Sequence, residues 1–288
     1  MAPQVVVGVD GTPESAAAVA WAADEAALRR VPLCVMHVEE WTATRKVPRE
    51  CARSLAGRST ALLHDAVRLA RQDHPDLPVT TRCAVGRPGP ALRGAADEAE
   101  LAVLGSRGLG PVAALLLGSV SRDVAGRAGQ PVALVRARGV RVRPSGGTGV
   151  VLGLDPAAPA DRLLRFGFAE AARRGGALRV LYVIGAPAAY GTPYGGTSRP
   201  GDGRRHRAAA EHLAERLAPW RRTYPGVDVI GEVLSGAPAA RLVRAAAGAE
   251  LLAVGRRSRR LPLGPHLGEV ARAVVRHSTV PVTVVPLG

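Results

Sequence analysis

Gly105-Ser106-Arg107-Gly108, followed after nine residues by Gly118-Ser119, is the stretch of this chain best suited to holding an anion. Glycines turn the backbone at positive φ and leave no Cβ in the path of an approaching phosphate. Gly118-Ser119 stands where a helix is expected to begin, and a helix start offers free N–H groups and the positive end of its dipole. The Ser119 hydroxyl either donates to a phosphate oxygen or caps the helix, and Val120 and Ser121 follow in the same turn. Ser121 either reaches a phosphate one turn in or faces solvent, while Arg107 adds a positive charge. Read as plain structure, the same glycines only turn the chain. Two better-known phosphate motifs fit poorly. The sole lysine, Lys46, is not in a Gly-Lys-Ser/Thr setting. Gly108-x-Gly110-x-x-Ala113 resembles a dinucleotide fingerprint, but it follows the fourth expected strand instead of the first.

Elsewhere, Gly8, Val9 and Asp10 close the first apolar run. Asp10 at a strand's carboxyl end can accept hydrogen bonds from sugar hydroxyls or cap the helix after it. Val38 ends the second run, as apolar wall for a ring or as plain core, and His37 beside it reads as a packed strand residue. No paired base and nucleophile stands near the loop, and no cluster of metal ligands is evident, so no catalytic residues are assigned.

The elements that must position these groups alternate in type. In the first half, strands are expected at 4–10, 33–38, 79–85, 101–105 and 131–136. Helices are expected from Pro13, over about 48–73, over 90–98 and over 119–126. Thr12 and Pro13 supply the cap and first-turn signals of the first helix. The second half repeats the strands near 149–155, 178–183, 227–233, 250–254 and 280–285. Apolar strands alternating with helices predict an α/β fold with parallel sheets covered on both faces, which bind ligands beyond the strands' carboxyl ends. The halves are internal copies. Val7-Gly8-Val9-Asp10 returns 145 residues on as Leu152-Gly153-Leu154-Asp155, and Ala102-Val103-Leu104-Gly105 returns 150 on as Leu252-Ala253-Val254-Gly255. The added residues fall within the Gly- and Pro-rich stretch 185–203. This predicts a first domain over 1–138, a linker over 139–148 and a second domain over 149–288.

Composition narrows the function classes. Of 288 residues, 47% are hydrophobic and only 3% aromatic, so a ligand must lie against backbone and aliphatic walls. The net charge of +15 is carried almost wholly by arginine. Residues 1–138 contribute +3 and residues 149–288 contribute +10, scattered without interleaved aromatics, which argues against dedicated nucleic-acid binding. No apolar run approaches the roughly 20 residues of a membrane span. Cys34, Cys51 and Cys83 are widely spaced and form no C-x-x-C pair, so reduced thiols are expected. With no basic signal region at the start, a cytoplasmic location is expected.

Val-Gly-Val-Asp-Gly at the first strand, Met36-His37-Val38 at the second, Val85-Gly86-x-Pro88, and G-x2-G-x9-G-S after the fourth together resemble the universal stress protein family, twice over nearly the whole chain. The resemblance implies two Rossmann-like domains, of the adenine nucleotide alpha hydrolase type, with strand order 3-2-1-4-5. It also implies pairing of domains through their last strands, within the chain or in a homodimer. In the family's ATP-binding branch, the residues matching Asp10 and Val38 contact ribose and adenine, and the loop matching Gly105–Ser119 holds the phosphates. ATP, with Mg²⁺ as its divalent ion, is thus the implied ligand. Its nucleotide site comprises Gly8, Val9, Asp10, Val38, Gly105, Arg107, Gly108, Gly118, Ser119, Val120 and Ser121.

The second half departs from this pattern, reading Gly255-Arg256-Arg257-Ser258, nine residues, Gly268-Glu269. Ser258 adds a Cβ, and Glu269 sets a negative charge where phosphates would lie. Two unit charges ~4 Å apart repel by about 4 kcal/mol at an effective dielectric of 20. The expected function is a nucleotide-responsive stress or regulatory role through the first domain, with the second as a degenerate partner. The alternatives are a slow nucleotide hydrolase and a ligand-free interaction module.

Overall fold

The computed structural model describes residues 3–40, 49–106, 118–137, 149–184, 202–257 and 267–287. In the first half, β1 (Val5–Val9), α1 (Pro13–Arg29), β2 (Leu33–Glu39), α2 (Arg49–Arg71) and β3 (Val79–Val85) are followed by α3 (Pro88–Asp97), β4 (Leu101–Gly105), α4 (Ser119–Arg127) and β5 (Val132–Val135). The second half repeats them as β6 (Val150–Leu154), α5 (Asp161–Arg174), β7 (Ala177–Ile184), α6 (Asp202–Thr223) and β8 (Asp228–Ser235). It closes with α7 (Pro238–Ala245), β9 (Leu251–Arg256), α8 (Glu269–His277) and β10 (Val282–Pro286). Linker residues 139–148 and the stretch 185–201 lie outside the described residues.

Local chemistry sets the helix limits. Thr12 accepts a hydrogen bond from the Ser15 N–H and Pro13 fills the first position of α1. The same helix ends where Arg30 turns left-handed, at φ 58°. α5 stops at Gly175, φ 60°, a conformation glycine adopts without a steric penalty.

All ten strands join one sheet, in the order β3-β2-β1-β4-β5-β10-β9-β6-β7-β8. Each half therefore shows the expected 3-2-1-4-5 order. Pairing is parallel within each half, with Val5 opposite both Leu33 and Leu101. Across the joint, β5 and β10 run antiparallel, with Val132 opposite Val284 and Leu134 opposite Val282. That ladder pairs what would otherwise be two open edges. On one face a single apolar cluster runs through both halves, from Met36, Leu92 and Leu104 to Leu134, Val282 and Leu252. On the other face the halves keep separate cores: Val7, Val19, Val35 and Val103 beneath α1 and α2, and Leu152, Leu163, Phe168 and Leu178 beneath α5 and α6.

Burial of every strand on both faces does not hold. Most of β3 is exposed, with Val85 at 66%, and Ile230 of β8 is 48% exposed. Both are the terminal strands of the ten, where no further strand or helix covers them fully. Among the described cysteines, Cys34 and Cys83 are free thiols, as expected. No described helix is long and apolar enough to cross a membrane.

Candidate functional site

The strand order reverses between β1 and β4, so their carboxyl ends open the crevice in which such sheets hold ligands. Gly8 and Val9 end β1. A Cβ on Gly8 would lie 2.6 Å from a Leu104 methyl, so this glycine serves core packing. Val9 is buried with α1, and its carbonyl accepts from His37 Nδ1 at 2.9 Å. A carbonyl can only accept, so Nδ1 carries the proton. His37 is thereby a strand residue tied to its parallel neighbour.

Asp10 is exposed at the sheet edge. Its Oδ1 accepts from the Thr12 N–H at 3.0 Å and the Thr12 hydroxyl at 2.6 Å, across Gly11 at φ +82°. Thr12, not Asp10, caps α1; Asp10 orients the cap while standing outside the helix. Val38 is 8% exposed and packs in the shared core. What it offers the crevice is its place at the end of β2, one strand from Asp10.

At the end of β4, Gly105 owes its identity to α1. A Cβ there would lie 2.8 Å from the Glu14 carbonyl carbon and 2.9 Å from the Ser15 nitrogen, so the glycine permits backbone contact between strand and helix. Packing against α1 by itself accounts for the missing Cβ. Ser106 is buried, its N–H donating to the Val135 carbonyl at 2.7 Å and thereby tying the strand exit to β5. Arg107 and Gly108 lie outside the described residues.

α4 is brought back to this edge by Ser121, whose hydroxyl donates to the Gly105 carbonyl at 2.8 Å. Ser121 is buried, so it neither faces solvent nor keeps its proton for a ligand. Gly118 occupies the N-cap position, at φ −55° and ψ 147°, with no side-chain capping bond. Ser119 is consequently the first helical residue rather than the cap, and it is exposed; Val120 is half-buried against the core. The first bond of the helix runs from the Arg122 N–H to the Gly118 carbonyl, 2.9 Å. Helical geometry gives the N–H groups of Ser119, Val120 and Ser121 no acceptor within the helix. Three donors and a dipole end therefore sit at the crevice beside Asp10.

One residue the sequence did not single out adjoins them. Glu14, in the first turn of α1, is 4% exposed, and its Oε2 has no hydrogen-bond partner among the described residues. Its signal was an acidic residue directly after the capping pair, where the helix dipole favours a carboxylate. A cavity of about 520 Å³ lined by Ala26, Arg30, Pro32, His74 and Leu77 lies at the opposite, amino-terminal end of the strands. It is remote from these groups.

At the corresponding edge of the second half several residues differ. Asp155, the counterpart of Asp10, accepts from the Ala157 N–H at 2.9 Å and pairs with Arg257 Nη2 at 2.6 Å. Arg257 is the counterpart of Arg107, so an ion pair spans the crevice. Tyr182 replaces His37 and is 4% exposed, with burial raising its phenol pKa. Gly268 adopts φ +77° and Glu269 opens α8. Ser258 lies outside the described residues.

The model of the universal stress protein family matches this chain twice, over residues 1–136 and 149–286. The chain belongs to the universal stress protein family. A universal stress protein of Mycobacterium tuberculosis (strain ATCC 25618 / H37Rv) is 34% identical, over 97% of this chain and 96% of its own length. One from Mycolicibacterium smegmatis is 33% identical over 98% of this chain. A universal stress protein structure from Archaeoglobus fulgidus superposes over 99% of the chain with a TM-score of 0.76; at 20% identity it speaks to the fold alone. Universal stress proteins that pair two such domains in one chain thus include mycobacterial relatives matched nearly end to end.

Proposed function

We propose that the first half binds an adenine nucleotide, ATP with Mg²⁺, and that the protein acts as a nucleotide-responsive stress or regulatory protein of the cytoplasm. The observation that carries this reading is the edge where three N–H groups of α4 with no acceptor inside the helix, held in place by the Ser121–Gly105 bond, meet the exposed Asp10 at the reversal of strand order. The N–H groups of Ser119, Val120 and Ser121 hold phosphate oxygens, joined by the Ser119 hydroxyl and by Arg107 and Gly108. Asp10 accepts from the ribose hydroxyls, and the end of β2 at Val38 borders the adenine. Asp10 and Glu14 are hard oxygen donors of the kind Mg²⁺ takes, and they sit at the same edge as the phosphates. The divalent ion offsets the repulsion those carboxylates would otherwise exert.

The second half serves as a structural partner without this activity. Glu269 stands at the helix start that would receive phosphates. Binding to the first half changes contacts at the β1–β4 edge, and that is the signal passed to another protein.

Titration of Mg·ATP into Asp10→Ala and Ser119→Ala variants tests the assignment. Loss of a charge-assisted hydrogen bond is worth about 1.5–3 kcal/mol, so Asp10→Ala should bind roughly 10- to 100-fold more weakly. Ser119→Ala, which removes one neutral donor, should lose less. Unchanged affinity in both variants, with native circular dichroism, would rule the site out.

A further inference from the structure

The β5–β10 ladder is one of several contacts between the two halves. Between α1 and α5, Arg29 pairs with Glu170 and Arg174 with Glu25. A further contact falls on α4, the helix whose amino end carries the proposed phosphate donors. Arg256, at the end of β9, crosses from the second half and donates from Nη2 to the Ala128 carbonyl at 2.5 Å. Arg162, in the first turn of α5, donates from Nη2 to the Gly129 carbonyl at 2.9 Å. Ala128 is the C-cap of α4, and Gly129 follows it. Two guanidiniums of the second half thus converge on the carboxyl end of a first-half helix.

The contact with Arg256 is internal. Arg256 is 7% exposed and Ala128 1%. An arginine keeps its proton in proteins, so a full charge is buried against the negative pole of α4, where it complements free carbonyls and dipole. One carboxylate shares the turn: Asp97 of α3, whose Oδ1 accepts from the Gly129 N–H at 2.6 Å. Of these three groups, two are cationic. The other end of α4 is tied to β4 by the Ser121 hydroxyl on the Gly105 carbonyl. The helix has nine residues, and at its rise per residue about 13 Å separates the two ends.

We infer that the second half completes the nucleotide site from a distance: Arg256, assisted by Arg162, is a positioning residue that holds α4 by its carboxyl end and thereby sets the phosphate affinity of the first half. The inference rests on the reading of α4 as the phosphate-binding helix. Two effects act in the same direction. The bond fixes where α4 lies, and hence where the N–H groups of Ser119, Val120 and Ser121 point. The charge adds to the field along the helix: across about 15 Å at an effective dielectric of 20, one unit charge is worth roughly fivefold in affinity for one phosphate charge. Linkage makes the dependence reciprocal, so bound phosphate strengthens the hold of Arg256 on α4.

Calorimetric titration of the full chain with Mg·ATP tests this in wild type, Arg256→Met, Arg162→Ala and Leu213→Ala. Methionine keeps apolar bulk along the buried stem while removing charge and donor. Leu213, 2% exposed, lies in the separate core of the second half, so its truncation gives a destabilised chain with α4 still clamped. Arg256→Met should bind at least roughly fivefold more weakly, and Arg162→Ala, which loses an exposed charge, roughly threefold more weakly. Leu213→Ala should bind like wild type. An Arg256→Met affinity equal to that of wild type overturns the inference and leaves the nucleotide reading standing. A loss in Leu213→Ala as large as in Arg256→Met overturns it equally, because general loosening would then account for both. If Arg256→Met does not fold, Arg162→Ala decides, and unchanged affinity there overturns the inference. No binding to folded wild-type protein overturns the nucleotide reading and this inference together.

Discussion

Single atoms decide what the residues at the β1–β4 edge can do. Gly118 stands at the N-cap of α4 with no capping side chain, leaving the N–H groups behind it without helical acceptors. A carboxylate there would cap the helix from within and repel an incoming polyanion. At about 4 kcal/mol for one charge pair, Gly118→Asp should weaken nucleotide binding by roughly a thousandfold. Its melting temperature should stay within a few degrees of wild type, as calorimetry on the free protein would show. Gly105 predicts the reverse pattern. A Cβ at 2.8 Å from the α1 backbone forces strand and helix apart. Gly105→Ala should therefore cost about 1–3 kcal/mol of stability in chemical denaturation, with nucleotide affinity following only as far as the fold is disturbed. The two glycines look alike in sequence and differ in what lies within reach of the missing atom.

At the scale of elements, the strands announce themselves and their neighbours do not. Val79–Val85 and Leu101–Gly105 appear with the bounds expected from their apolar or β-branched runs, because a run of that length bounded by turn residues leaves little choice. That β3 would be exposed was not legible, since an edge position depends on which strands pair, not on the strand's own residues. Ser121 was misread for a similar reason: its acceptor, the Gly105 carbonyl, lies 16 residues back and meets it only once α4 folds onto β4. Helix ends show how elements of one half are held by the other. Arg256 Nη2 donates to the Ala128 carbonyl at the end of α4 at 2.5 Å, and Arg136 donates to the Val275 carbonyl at the end of α8 at 3.1 Å. A cation at a helix C-terminus complements both free carbonyls and dipole. Arg256→Ala should cost about 1–3 kcal/mol by denaturant titration, since a charged hydrogen bond is lost and a buried carbonyl is left unpaired. The fold thus commits Arg256 to the joint between halves.

For the whole molecule, duplication explains both the symmetry and its breakdown. The repeat at offsets of 145 and 150 foretold two copies of one fold, and their antiparallel meeting at β5 and β10 builds a single sheet. The same repeat carried the signal for the joint, in Glu25-x3-Arg29 and Glu170-x3-Arg174, but amphipathic helices carry many such pairs on solvated faces. Only the packing of α1 on α5 turned these two inward. The two crevices meanwhile diverged. Both edges keep an exposed aspartate and a helix begun at a glycine without a capping side chain, but Glu269 opens the second where Ser119 opens the first. On the proposed function, a molecule built this way has one nucleotide site and a second half that serves as its structural partner.

Calorimetric titration of the intact chain with Mg·ATP bears on that asymmetry most directly. The account predicts one nucleotide bound per chain, with the heat abolished by Gly118→Asp. Two equivalent sites per chain, or no heat from folded wild-type protein, would contradict it.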